Sequence, residues 1–266
     1  MMTMRMYVKE GNIAAGMTMK DARRPEENNM GLHACLNPQD VLQNRRELAK
    51  EIGVPLGRFV CGRQTHSANF HRVAEEDRGR GAETTEDAIP DTDALYTYEP
   101  NIVLGSLTAD CVPVLLWNEA AGLVGAVHSG WQGTVKEITP KLLRHLTEEE
   151  GLDPLDFRVR IGAALSQEKF EVDRDVYERF RSLGYADDFI RFNGQTGKWH
   201  IDNQKTVETQ LLMAGIPPGR IAIDRSCTYK SPGGFSYRED KKAGRHLSWI
   251  VRTETPGTGG HGTEER

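Results

Sequence analysis

NIVLGSLTADCVPVLLWNEAAGLVGAVHSGW, residues 101–131, is the stretch whose reading decides the fold class. Its two apolar runs, 101–117 and 122–131, are rich in Val, Leu and small residues and are parted by a short polar link, so they read as buried strands. Outward from there the chain alternates. Residues 58–66 (RFVCGRQTH) and 157–165 (FRVRIGAAL) read as further strands. Residues 37–53 (NPQDVLQNRRELAKEIG) read as a helix opened by Asn37-Pro38 and stopped by Gly53. Helical spacing also covers 134–151, with Pro140 limiting its first turn, as well as 173–184 and 200–216, the last closed by Gly215. Strands interleaved with helices predict an α/β (α+β) fold built on a mixed sheet. The polar, Gly-containing residues 75–91 read as a long surface loop.

The length of 266 residues suffices for one large domain or two tightly joined halves, and 38% hydrophobic with 27% charged residues is ordinary for a globular chain. The net charge of -5 is small and scattered, which argues against a nucleic-acid or membrane surface and for small-molecule partners. No apolar run approaches the roughly 20 residues that cross a bilayer. The N-terminal stretch is broken by Lys9-Glu10 and does not read as a signal peptide. Cys35, Cys61, Cys111 and Cys227 form no closely spaced framework, so they read as reduced thiols of a cytoplasmic protein. Residues 253–266 lack apolar anchors and are expected to be a disordered tail, leaving 1–252 as the folded domain.

Three segments place reactive side chains where an apolar run gives way to Gly, Pro or small polar residues: 63–67 with His66, 108–116 with Cys111, and 125–133 with His128. Two imidazoles and a thiolate suit a borderline-soft ion such as zinc, and three protein ligands leave a fourth position for water or substrate. The same set suits copper, although no axial Met is identifiable. Plainer readings stand beside this one. A Cys in apolar sequence is commonly an inert packed thiol, and each His alone is commonly a satisfied polar residue. Asp110 reads as a turn-former, and Trp131 either as core packing or as one wall of a pocket. Arg238, beyond the Gly-rich turn at 231–234, reads either as an anion-binding Arg or as a surface charge on a hairpin.

Taken together, NMGLH (29–33), QNRREL (43–48), CGRQTHS (61–67), DALYT (93–97), ADCVPVLLW (109–117), GAVHSGWQGT (125–134), HIDNQKTVETQLLMAGI (200–216) and FSYRED (235–240), followed by Gly244-Arg245, cover nearly the whole chain. In this order they resemble the laccase-domain, or polyphenol oxidase-like, proteins, now grouped as purine nucleoside phosphorylases. The resemblance implies a single layered α/β domain with an internal duplication. It also implies a zinc centre, or a copper one, on the positions matching His66, Cys111 and His128. Implied activities are phosphorolysis of adenosine, inosine and methylthioadenosine, deamination of adenosine, and oxidation of phenols. Asn29, Arg45 and Arg238 match positions near the family's site and are carried over as substrate contacts.

The chain departs from the family pattern at three places, the first being 16–25 (GMTMKDARRP), which replaces a more Gly-rich stretch. Gln132 stands where the family usually has Arg, and 162–172 (GAALSQEKFEV) replaces a stretch rich in Gly, Pro and Cys. If the last two departures face phosphate, deamination is expected to outrun phosphorolysis. Two further function classes remain open: a metal-independent Cys–His hydrolase or amidase with Cys111 as nucleophile and His128 as base, and a non-catalytic metal- or nucleotide-binding module. Copper-dependent phenol oxidation fits less well, because one mononuclear site is a poor basis for four-electron oxygen reduction.

Overall fold

A computed structural model describes residues 2–254. In chain order it contains β1 (Met4–Glu10), β2 (Ile13–Thr18), α1 (Pro38–Ile52), β3 (Phe59–Cys61), β4 (Phe70–Arg72) and β5 (Ala94–Thr97). The central part follows with β6 (Val103–Thr108), β7 (Val112–Asn118), β8 (Leu123–Ser129), α2 (Trp131–Val135), α3 (Ile138–Arg144) and β9 (Phe157–Ile161). The remainder is β10 (Glu171–Val172), α4 (Arg174–Arg181), β11 (Ile190–Asn193), β12 (Lys198–Ile201), α5 (Asn203–Met213), β13 (Ile221–Ile223) and β14 (His246–Arg252). The expected tail over 253–266 lies, from residue 255 onward, outside the described residues.

The fold is a mixed α/β single domain with several mixed sheets. One sheet has six strands in the order β13-β9-β7-β8-β5-β4, and a second has five in the order β1-β2-β14-β6-β3. Their cores are layered. Ile13, Val60, Leu104 and Ile250 of the five-stranded sheet meet Leu95, Leu115 and Val124 of the six-stranded one in a single buried cluster. The outer face of the larger sheet (Val112, Val114, Leu116) packs on Ile138, Leu142 and Leu211 of α3 and α5. The outer face of the smaller (Phe59, Val103, Trp249) packs on Leu48 and Ala49 of α1. Alternate residues of β7 therefore point into different layers, the period-2 consequence of a strand covered on both sides. Trimming one of them, as in Leu115→Ala, is expected to cost about 2–5 kcal/mol.

Helix α1 matches its sequence signals: Asn37 accepts from Gln39 N at the start, and Gly53 ends the helix at φ 81°. The run 101–117 behaves differently from its reading as one strand. It divides at 109–111 into β6 and β7, which belong to different sheets. The break is local and visible: Asp110 takes φ 85°, a left-handed conformation no strand can continue through. Helical spacing over 134–151 likewise becomes α2, α3 and a short π-turn (His145–Glu149), with Glu137 at φ 59° between the first two. Residues 200–201 belong to β12, and α5 begins only at Asn203, where Asp202 caps it by accepting from Lys205 N. Residues 75–91 form no strand or long helix but are not a free loop. Ala82, Ala88 and Ile89 are buried, and Ile89 bridges Gly62.

Candidate metal centre and its cavity

His66, Cys111 and His128 converge. Their ligating atoms all lie within 4.8 Å of one another, and Cys111 Sγ is 3.8 Å from His66 Nε2. The two imidazole rings meet edge-on with centroids 4.9 Å apart. Each residue arrives from a strand end. His66 follows β3, Cys111 occupies the turn between β6 and β7, and His128 is the penultimate residue of β8. Gly130 leaves the space they need, since a Cβ there would sit 2.7 Å from His66 Cδ2 and 3.0 Å from Cys111 Sγ.

One carboxylate organises this floor. Asp93, at the head of β5 and 3% exposed, accepts from the backbone amides of Thr65, His66 and Ser67 at 2.8–3.1 Å and from Ser67 Oγ at 2.7 Å. Those bonds hold His66 at φ 59°, a left-handed conformation costly for a side chain with a Cβ. The same carboxylate accepts from His128 Nδ1 at 2.8 Å, which fixes the tautomer and leaves Nε2 free as a ligand. Burial alone would raise the Asp93 pKa, but the His128 ring and the Ser67 donors outweigh it and hold the group down at about 2. Burial would also push the Cys111 thiol up. The neighbouring His128 and His66 rings reverse this and pull it down, while the Cys111 thiolate and Asp93 pull His128 up. Without metal, these shifts favour a Cys111 thiolate beside a protonated His128 ring, a charge pair that a bound cation would replace.

These groups form the floor of a cavity of about 990 Å³. Trp131, Leu165, Phe170 and Val172 give it an apolar side, while Arg45 and Arg245, with the neutral ring of His33 beside them, give it a cationic one. An arm without regular structure, residues 235–245, borders the mouth with Tyr237, Arg238 and Lys241. The arm is held from below. Asp110 accepts from Thr228 Oγ1 through one oxygen (2.6 Å) and from Ser236 Oγ and Arg238 N through the other (3.0 and 2.7 Å). At the arm's two ends, the fully buried His246 accepts from Phe235 N through Nε2 at 2.7 Å and donates to Thr18 O through Nδ1 at 2.6 Å.

The residues carried over as substrate contacts fall in three different places. Arg238 lines the cavity and donates to the carbonyls of Lys169 and Glu171. Arg45 also lines it but is 2% exposed, with its guanidinium spent largely on backbone carbonyls. Asn29 does not line the cavity. Its Oδ1 accepts from Gly31 N and Arg245 N and its Nδ2 donates to Ala34 O, so it positions the turn and the arm beside the site. Gln132 lies on α2 and does not line the cavity either, whereas Leu165 and Phe170 of the altered 162–172 segment do. Trp131 is a wall of the cavity.

Sequence reasoning passed over Asp93, His33 and Arg245, and gave Asp110 only its turn. The signal for Asp93 was slight, one acidic residue at the head of the strand motif DALYT. His33 and Arg245 were visible only as members of the motifs NMGLH and Gly244-Arg245.

Known proteins resemble this chain over most of its length. The family model described as multi-copper polyphenol oxidoreductase laccase matches residues 15–253. A purine nucleoside phosphorylase, YlmD, of Bacillus subtilis (strain 168) is 33% identical over 248 residues, covering 91% of this chain and 89% of that one. An adenosine deaminase, RL5, from an unknown prokaryotic organism is 34% identical over 215 residues, covering 80% and 82%. The crystal structure of YlmD from Geobacillus stearothermophilus superposes with a TM-score of 0.86 at 35% identity, covering 91% of this chain and 93% of that one.

Proposed function

We propose a zinc-dependent purine nucleoside enzyme, starting from the fact that this chain belongs to the multi-copper polyphenol oxidoreductase laccase family. The observation that carries the reading is the three-donor floor of His66, Cys111 and His128, braced by Asp93 and open to a cavity with one apolar and one cationic side. The donor set fits zinc. Two imidazole nitrogens and a thiolate lie within 4.8 Å of one another, against edges of about 3.5 Å for a tetrahedron of bonds about 2.0–2.3 Å long. Zinc held by His66, Cys111 and His128 would supply Lewis acidity to a ligand in the cavity. The chain's own residues do the rest. Asp93 fixes the His128 tautomer and the His66 backbone, and Trp131, Leu165 and Phe170 offer an apolar surface to a purine and exclude water from its faces. The reactions are phosphorolysis of adenosine, inosine and methylthioadenosine, and deamination of adenosine. Phosphorolysis is retained because Gln132, the missing positive charge, is outside the cavity.

A second reading has its own observation. A thiolate beside a raised imidazole is also the resting state of a Cys–His nucleophile, with Cys111 attacking an amide and His128 as acid–base. His66 at 3.8 Å from the sulfur favours the metal, because a Cys–His nucleophile needs no third donor. Metal-quantified protein incubated with adenosine, with and without phosphate, separates the readings. Expected products are inosine in both cases and, only when phosphate is present, ribose 1-phosphate with adenine and with hypoxanthine from the inosine formed, each lost with the zinc. Full activity after complete zinc removal would favour the thiol nucleophile. No purine product from fully loaded protein would end the purine reading.

A further inference from the structure

Two arginines close on one turn beside the metal floor. Arg45 reaches from α1 and donates through Nε and Nη2 to Met30 O at 2.9 and 2.7 Å. Its Nη1 donates to Gly81 O and Ala82 O, both at 2.7 Å. These four bonds use neutral acceptors and leave one of the five guanidinium N–H groups uncommitted. Met30 N in turn donates to Arg245 O at 2.9 Å. The Arg245 side chain lies so close over the turn that a Cβ on Gly31 would sit 2.6 Å from its Cγ. Its Nη1 donates to the carbonyls of Ala243 and Gly244, and among the described residues Nε and Nη2 have no hydrogen-bond partner.

Neither arginine forms an ion pair among the described residues, although Arg45 is almost wholly buried. The charges nearest Arg45 in kind are the thiols of Cys61 and Cys35, both pushed up by burial and therefore neutral. The negative charge that acts most on Arg245 is the Cys111 thiolate, which belongs to the metal floor and would be neutralised by a bound zinc; Asp110 acts more weakly, and both its oxygens already accept from the arm and from Thr228. Of the cavity's other acids, Glu171 accepts from Thr196 Oγ1, Asp173 pairs with Lys198, and Asp175 is exposed to solvent on α4. His33 completes the group. Its enclosing protein atoms first, then Arg245, Arg45 and His128, push its pKa down to about 4, so near neutrality it is an uncharged ring with one N–H to donate. Buried positive charge without a counter-charge is costly and is relieved by a bound anion.

We propose that His33, Arg45 and Arg245 form an oxyanion subsite beside the metal floor, and that it takes inorganic phosphate. Its role rests on the purine nucleoside reading. A phosphate oxygen forms the new bond to the ribose anomeric carbon, the carbon–nitrogen bond to the purine breaks, and its electron pair leaves with the purine, which takes a proton from solvent. Two fixed guanidiniums on one side suit a tetrahedral dianion better than a single carboxylate. The phosphate group of a nucleotide shares this chemistry, so the test includes 5′-AMP.

The test is titration calorimetry of the full-length, zinc-loaded chain with inorganic phosphate. Wild type is expected to bind phosphate at millimolar concentration or below, with competition by sulfate. Arg245→Gln should raise the phosphate Kd at least tenfold, His33→Leu several-fold, and His33→Gln, which keeps an N–H donor, less than His33→Leu. Arg45 is left intact because its bonds hold residues 30, 81 and 82 together. Unfolding temperatures measured without phosphate check that each variant is folded. Unchanged phosphate affinity in both Arg245→Gln and His33→Leu overturns the subsite, as does absence of phosphate binding by wild type. Binding of 5′-AMP that depends on Arg245, in protein indifferent to free phosphate, overturns the assignment to inorganic phosphate. The purine reading fails separately: phosphate bound through Arg245 with no nucleoside converted leaves the subsite standing and removes that reading. Nucleoside phosphorolysis with an unaltered phosphate KM in Arg245→Gln does the reverse.

Discussion

On the floor of the cavity, His66, Cys111 and His128 hang from strand ends and share the Asp93 carboxylate, which takes five donors from residues 65–67 and 128. On the arm above them, residues 235–245 run without regular structure and reach the body through Asp110, Asn29 and His246. Both regions border the same space. The floor is over-determined, so the position of each side chain is set by several buried bonds at once. The arm is held at a few points between exposed residues such as Tyr237 and Lys241. Chemistry that needs fixed donors belongs to the first region, and adjustment to the size of a substrate belongs to the second.

The sharpest way to break this contrast is Cys111→Ser. A hydroxyl is a far weaker zinc ligand than a thiolate, so zinc affinity should fall by more than the about 10–100-fold typical of losing a partner behind a ligand. The metal-free variant should melt within a few degrees of metal-free wild type. Full zinc retention in chelator competition would reduce Cys111 to packing. Asp93→Asn comes next. It keeps one acceptor oxygen but strands buried donors, for an expected loss of about 10–100-fold in zinc affinity and about 1–3 kcal/mol in stability. Wild-type values for both would mean that the floor is held by its strands alone.

Asp110→Asn tests the arm with a smaller expected effect. Asn tolerates the left-handed backbone at 110, but its amide nitrogen cannot accept from Ser236 Oγ and Arg238 N. A loss of about 1 kcal/mol reads as about a fivefold rise in nucleoside KM, with zinc content unchanged. Zinc loss in this variant would show that the arm and the floor are one unit. The smallest effect is expected for Gln132→Arg, outside both regions, where phosphate KM should change less than about twofold, as for ordinary surface substitutions. A large drop in phosphate KM would place residue 132 in contact with the anion.

The same contrast separates what sequence could tell from what it could not. Helix α1 announces itself through Asn37-Pro38 and Gly53, and β8 through the apolar run 123–127 that ends at His128. His66, Cys111 and His128 were legible as candidates because each places a reactive group where an apolar run ends, and the structure brings the three together. The division of 101–117 was not, because it depends on the backbone of Asp110, and Asp looks the same in a tight turn and in a left-handed crossover. The hairpin of β1 and β2 carries Met, Ala and Gly, residues of weak strand preference, and is stabilised by pairing with the distant β14. Asp93 reaches His128 across 35 positions of sequence, a relation with no local period. Asn29, a family motif residue, turned out to hold Gly31 and Arg245 rather than border the cavity, a distinction that exists only in three dimensions.

His246 carries a consequence for behaviour in acid. Its Nε2 serves as acceptor for Phe235 N, the first residue of the arm, so the ring must stay unprotonated there, and burial pushes its pKa down to about 4. A histidine depressed in the folded state contributes its stability in full above the unfolded pKa of about 6.5. That contribution, on the order of 3 kcal/mol, drains away as pH falls toward about 4. A second ring proton would point at the Phe235 amide and unlatch the arm. Hydrogen exchange, corrected for its intrinsic pH dependence, should therefore show the Phe235 amide losing protection between pH 7 and 5 before residues of β8 do. Equal protection at both pH values would mean that the arm is held by its other contacts. Protonation of this one buried ring thus makes mild acidification a way to release the arm at the mouth of the cavity.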